Sequence, residues 1–152
     1  MKVAPTIRLG VVVSQFNPEV TGGLLAGARQ YLAEQGLELA DGDIFSAPGA
    51  YEIPIIARAV AVSRSLDGVI CLGCVIKGDT AHFEFISLAA TMGLMTASLD
   101  INKPLSFGIL TTYTDEQAEA RSADDAHNKG REAAAACLQT VQSLRALAPN
   151  AS

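Results

Sequence analysis

Val69-Ile70-Cys71-Leu72-Gly73-Cys74-Val75-Ile76-Lys77-Gly78-Asp79-Thr80-Ala81-His82-Phe83-Glu84 decides the reading of this 152-residue chain. Residues 69–76 carry no charge and do not alternate apolar with polar, the pattern of a strand covered on both faces. Lys77-Gly78-Asp79-Thr80 ends the run as a turn, and His82 stands two residues beyond it, where a helix should begin. A strand that turns directly into a helix is the repeating unit of a parallel α/β sheet. The same junction gathers free backbone amides, a hydroxyl, a cation and a titratable imidazole. That combination suits an anionic substrate and proton transfer near pH 7.

Outward from this segment the alternation continues. Residues 7–14 form a β run with three consecutive valines. Asn17-Pro18-Glu19 opens a helix, with Asn as N-cap, Pro at N1 and an early acid for the dipole. Val20, Leu24, Leu25, Ala28 and Leu32 give that helix its apolar face, and Gly36 ends it. A short strand is expected over 43–47, a Pro48-Gly49 turn, and a helix over 51–63 with Pro54 in its first turn. Asp67-Gly68 leads into the central run, and a helix is expected over 82–99, weakened by Gly93. Asn102-Lys103-Pro104 turns into a strand over 105–111, Thr114 caps a helix through Arg121, and a last helix spans 124–147. No hairpin signal interrupts the series. The expected fold is α/β: a three-layer, doubly wound, flavodoxin-like arrangement around a four-stranded parallel sheet, forming one domain over 1–152. Residues 1–6 are expected to be an arm and 148–152 a frayed tail. Ligands of such folds bind at the carboxyl ends of the strands.

Bulk properties narrow the function. Apolar residues make up 49% and charged residues 18%, a globular balance. Net charge is −5 and the pI near 4.9, with no basic stripe and no Trp, so a nucleic-acid footprint is missing. No apolar run approaches the ~20 residues of a membrane span, and Arg8 spoils residues 1–15 as a signal peptide, so a cytoplasmic protein is expected. Cys71-Leu72-Gly73-Cys74 imitates a redox or zinc motif, but its odd spacing on a strand sends the two thiols to opposite faces. With Cys137 they read as structural thiols in a reducing compartment. Gly73 to Thr80 imitates a nucleotide phosphate loop, yet Asp79 occupies the position of its lysine and would repel a triphosphate.

Single residues leave alternatives. Asp79 can cap the following helix, or its turn can hold one phosphate through backbone amides; the two coexist if the carboxylate turns back. His82 can be structural or move protons. His127 reads as part of a solvated helical face. Phe16 can staple the first helix or stack on a planar ligand. Arg121 can be a dipole-favoured C-terminal charge and no more.

Five motifs occur in order: Ser14-Gln15-Phe16-Asn17 with Val20-Thr21; Pro48-Gly49-Ala50-Tyr51-Glu52-Ile53-Pro54; Gly73 to Phe83; Ser106-Phe107-Gly108-Ile109-Leu110-Thr111-Thr112; and Asn128-Lys129-Gly130 with Glu132-Ala133-Ala134. From about residue 7 to 144 the chain resembles lumazine synthase, the penultimate enzyme of riboflavin biosynthesis. The resemblance implies condensation of 5-amino-6-ribitylaminouracil with 3,4-dihydroxy-2-butanone 4-phosphate, releasing phosphate and two waters with no metal or organic cofactor. It implies that Phe16 stacks on the pyrimidine beside Asn17, and that Ala50, Tyr51 and Glu52 bind its ring and ribityl groups. Cys74, Val75 and Ile76 would line that pocket, Asp79 and Thr80 would meet the phosphate, and His82 would donate and accept protons. Phe107, Arg121 and Lys129 would come from a neighbouring subunit, Arg121 clamping the phosphate. A homopentamer is implied, and twelve pentamers in an icosahedral shell that can enclose riboflavin synthase. Two departures stand out. Asp79 replaces the small residue of many members, and residues 122–127 differ from the Ala-Gly-Thr-Lys-Ala-Gly segment common there, without the insertion seen in members that stay pentameric. A non-catalytic flavin- or lumazine-binding paralogue, a shell protein that only scaffolds, and a Schiff-base aldolase using Lys77 are the competing readings.

Overall fold

Each apolar run becomes a strand in the computed structural model, which describes residues 6–148. In chain order the elements are β1 (Leu9–Ser14), α1 (Pro18–Glu34), β2 (Ile44–Ala47), α2 (Ile53–Ser63), β3 (Gly68–Ile76), α3 (His82–Ile101), β4 (Leu105–Thr112), α4 (Asp115–Ser122) and α5 (Lys129–Leu147). The arm and tail expected over 1–6 and 148–152 lie, except for Thr6 and Ala148, outside the described residues.

The four strands form one parallel sheet in the order β2-β1-β3-β4. Registers run from Val11 opposite Ile44, Leu9 opposite Gly68 and Val69 opposite Leu105. Because side chains alternate along a strand, β3 feeds two cores. Ile70, Leu72 and Cys74 face α1 and α5 with Val11 and Leu110. Val69 and Cys71 face α2 and α3 with Val12 and Ile109. The two cysteines therefore lie on opposite sides of the sheet, as their spacing requires. The expected three-layer, doubly wound fold is the one found.

Several boundaries differ from expectation, each for a tertiary reason. β1 starts at Leu9, the first residue with a β3 partner; Arg8 instead donates its backbone N–H to Asp67 Oδ2 and pairs with buried Asp43 at 2.8 Å. β2 starts at Ile44 because Asp41–Asp43 form a 3-10 turn, and a second such turn, Ala50–Glu52, precedes α2. Asn17 does occupy the N-cap of α1, but in the left-handed conformation (φ 57°) and with no side-chain cap; its amide donates to the Cys74 carbonyl at 3.2 Å. Asp79 does not cap α3: Ala81 takes that place, and Thr80 Oγ1 accepts from the His82 N–H at 3.3 Å. Thr114 caps α4 as expected, accepting from the Gln117 N–H at 3.1 Å.

The last helix begins at Lys129, five residues later than the sequence suggests. Residues 124–128 form a turn in which Asp125 accepts from the His127 N–H at 2.8 Å, so His127 is exposed on a turn and not on a helical face. Asn128 starts α5 instead, with Oδ1 accepting from the Gly130 and Arg131 amides at 2.8 and 3.1 Å. Here α5 crosses α1 so closely that a Cβ on Gly130 would overlap the Leu24 carbonyl.

α3 is longer and more apolar than the reading of residues 82–99 implied, with the length and mean hydropathy of a membrane-crossing helix. The reason is that it is apolar on two sides. Ala90, Leu94 and Ala97 pack inward, while Phe85, Leu88, Met92, Met95 and Leu99 stand exposed. Their spacing of 3, 4, 3 and 4 residues is the seam pattern of helices that pack on one another.

Candidate active site

The loops at the carboxyl ends of β1, β2 and β3 close around a hollow of about 560 Å³. Phe16 and Asn17 enter it from the β1–α1 loop. Phe16 cannot reach the core from there and leaves 69% of itself exposed. The left-handed Asn17 backbone turns the loop back, and its amide bond to Cys74 ties it to β3. Ala50, Tyr51 and Glu52 come from the 3-10 turn after β2, whose Pro48-Gly49 lead stops the strand. Cys74, Val75 and Ile76 form the floor, and His82 overhangs it from the first turn of α3. Nine of the residues singled out in the sequence thus line one cavity. Asp79 and Thr80 lie exposed on the turn leading to His82.

Phe107, Arg121 and Lys129 meet elsewhere. They line a second hollow of about 300 Å³ on the β4 edge against α5, which shares no wall residue with the first. Phe107 is half exposed because β4 is an edge strand. Arg121 closes α4, its guanidinium donating to the Gln117 carbonyl at 3.0 Å, and Lys129 pairs with Glu132 at 2.8 Å. Within one chain the imidazole and the arginine serve different cavities.

Sequence reading passed over Asp115 and Ile86, which also line the first hollow. Asp115 looked like an ordinary first-turn acid of α4; its position after β4 was the available signal. Among the described residues, no three His, Cys, Asp or Glu side chains gather closely enough to hold a metal ion.

All three thiols are free and buried. Burial pushes Cys71 well above the ordinary 9.0, Cys137 up to about 12, and Cys74 up to about 11 with the Asp115 carboxylate adding to the effect. The folded chain therefore keeps protons that an unfolded chain surrenders above pH 9. Their contribution is whole below pH 9 and is lost as pH rises toward 11–12, at about 1.4 kcal/mol per pH unit for each thiol. Denaturant unfolding at pH 8, 9.5 and 10.5 should give falling stability, and Cys137→Ala should flatten that fall by one proton. An unchanged slope in the variant would mean that this thiol does not drive it.

The sequence profile of the family described as 6,7-dimethyl-8-ribityllumazine synthase matches residues 6–145. The 6,7-dimethyl-8-ribityllumazine synthase 1 of Caulobacter vibrioides is 65% identical over 144 residues, covering 95% of this chain and 94% of its own. Proteins named 6,7-dimethyl-8-ribityllumazine synthase from Syntrophus aciditrophicus and Nitratidesulfovibrio vulgaris are 43% and 44% identical, covering 94% and 95% of this chain and 93% and 92% of theirs. With a profile match of that extent and relatives this similar from end to end, the chain belongs to the 6,7-dimethyl-8-ribityllumazine synthase family of riboflavin-biosynthetic transferases.

Proposed function

We propose that this chain condenses 5-amino-6-ribitylaminouracil with 3,4-dihydroxy-2-butanone 4-phosphate to 6,7-dimethyl-8-ribityllumazine, phosphate and two waters. The observation that carries this reading is the gathering of Phe16, Tyr51, Glu52 and His82 around one hollow in a chain of this family. The pyrimidine brings its own amine, so no enzymic lysine is needed to activate the ketone. Lys77 does not line that hollow; its ammonium lies 5.6 Å from the centre of the Tyr113 ring. The protein's tasks are to juxtapose two reactants, hold a leaving phosphate and move protons.

In this reading Phe16 stacks on the pyrimidine beside Asn17. Ala50, Tyr51 and Glu52 bind its polar groups above the floor of Cys74, Val75 and Ile76. The amides of Asp79 and Thr80 take the phosphate, and His82 exchanges protons with the reacting atoms. Phe107, Arg121 and Lys129 of a second copy complete the site. Their separate hollow and the exposed α3 seam support this assembly, since the seam of one copy can be covered by its neighbours. The assembly taken from the family resemblance is a homopentamer, and the absence of an insertion in residues 122–127 favours twelve pentamers in a shell able to enclose riboflavin synthase. Three buried free thiols suit a reducing, cytoplasmic setting.

Mixing the two substrates with purified protein and following lumazine absorbance and fluorescence tests the activity. Sizing the particle on the same sample tests the assembly. An intact particle that forms no lumazine would overturn the catalytic reading. Arg121→Ala should raise KM for the phosphate-bearing substrate roughly 10- to 100-fold, the value of charge-assisted hydrogen bonds to a phosphate. An unchanged KM removes Arg121 from the phosphate site.

A further inference from the structure

Tyr113 follows β4 directly and leaves a large ring 66% exposed at the mouth of α4. The ring is not idle. Its centre lies 5.9 Å from that of Phe83, tilted by 44°, and 5.6 Å from the Lys77 ammonium. The backbones are joined at the same place, where the Lys77 N–H donates to the Thr112 carbonyl at 2.9 Å. Tyr113 itself is held firmly. Its N–H donates to Gln117 Oε1 at 2.9 Å, the Thr112 hydroxyl donates to the Thr114 carbonyl at 3.1 Å, and Gln117 in turn donates to the Thr114 hydroxyl.

Between Lys77 and Phe83 lie residues 78–82, all exposed, so none of them anchors the turn in a core. A Cβ on Gly78 would meet nothing within 4 Å. The hydrogen bond from the His82 N–H to Thr80 Oγ1 stays within the segment, and the Phe85 N–H bond to the Ala81 carbonyl at 3.2 Å ties it only to the start of α3, so neither fixes residues 78–80 to the sheet. Such a segment takes its position from its ends. Tyr113 touches both of them.

We infer that Tyr113 is a positioning residue whose ring grips the two ends of the 78–82 turn and thereby sets the His82 imidazole at the hollow and the Asp79 and Thr80 amides on the exposed turn beside it. This rests on the proposed reading of that turn as the phosphate and proton-transfer segment. The grip comes from the face and edge of the ring, so it does not need the phenolic hydroxyl.

The test compares the full-length protein with Tyr113→Ala, Tyr113→Leu and Tyr113→Phe by residue-resolved amide exchange, steady-state kinetics for each substrate and particle size. Ala and Leu should speed exchange at 78–82 and raise KM for the phosphate-bearing substrate roughly three- to tenfold, the worth of one aromatic pair with an exposed cation–π contact. KM for the pyrimidine and exchange in α1 and α5 should stay unchanged, and Phe should restore wild-type behaviour. Unaltered exchange at 78–82, faster exchange spread over the whole chain, failure of Phe to rescue, or a smaller particle would each overturn the inference. If the wild type forms no lumazine, the proposed function falls, while the exchange data still decide whether Tyr113 holds the turn.

Discussion

Asn128→Ala will lower the folding free energy by about 2–4 kcal/mol, combining a lost helix cap with buried polar groups left unpaired. One side chain, 2% exposed, is bonded to five backbone groups. Its oxygen accepts from two amides at the start of α5, and the two hydrogens of its nitrogen are shared among the carbonyls of Gly23, Ser122 and Ala123 at 2.9–3.1 Å. Alanine abandons all of them at the point where α1, α4 and α5 meet. The neighbours are already shaped around the amide: a Cβ on Gly27 would overlap Asn128 Oδ1. Asn128→Asp keeps the cap but turns a carboxylate oxygen toward three carbonyls, so it should not rescue. Urea unfolding of the three proteins checks this, and a loss below 1 kcal/mol for alanine would show that the junction relaxes around the gap. Because Arg121 and Lys129 flank this junction, the second hollow should loosen along with the fold.

His82→Ala should slow turnover by roughly 10²- to 10⁴-fold, the usual worth of a positioned acid–base group. A residual rate should survive, because holding two reactants in register contributes roughly 7–11 kcal/mol that does not depend on the imidazole. The change lies at the exposed start of α3 and removes no core contact, so stability should hardly move. Single-turnover measurements with both substrates saturating give the chemical step directly. Complete inactivity in a folded, correctly sized particle would mean that His82 does more than shuttle protons. Loss of less than tenfold would move proton transfer to another group, with Asp115 in the same hollow the first to examine.

The strands were legible because a parallel sheet covered on both faces demands unbroken apolar runs, and the parity of Cys71 and Cys74 followed from the same geometry. The order β2-β1-β3-β4 was not, since nothing local tells a strand which neighbours it will pair with. Non-local bonds also account for the misplaced helix start. Asp124 and Asp125 imitate a first turn, whereas the cap that wins, Asn128, draws on a carbonyl 105 residues away. Asn17 is the same case in reverse: its position was readable, but its amide serves β3 and not its own helix. The first hollow could be read because a fold rule points to the residues after each strand. Tyr113 and Asp115 escaped because an exposed ring and a first-turn acid look ordinary until their partners are known.

The packing of α5 on α1 links the first and last described helices in time as well as in space. During synthesis β1 and β2 emerge early, but β1 lacks its other neighbour until residue 76 is made. The core beneath α1, with Leu24, Ala28 and Leu32, stays open longer still, because Ala134, Leu138 and Val141 belong to α5, which is made after every strand of the sheet. That side of the interior therefore closes only once α5 has been made, leaving the nascent chain dependent until then on its surroundings to shield that surface.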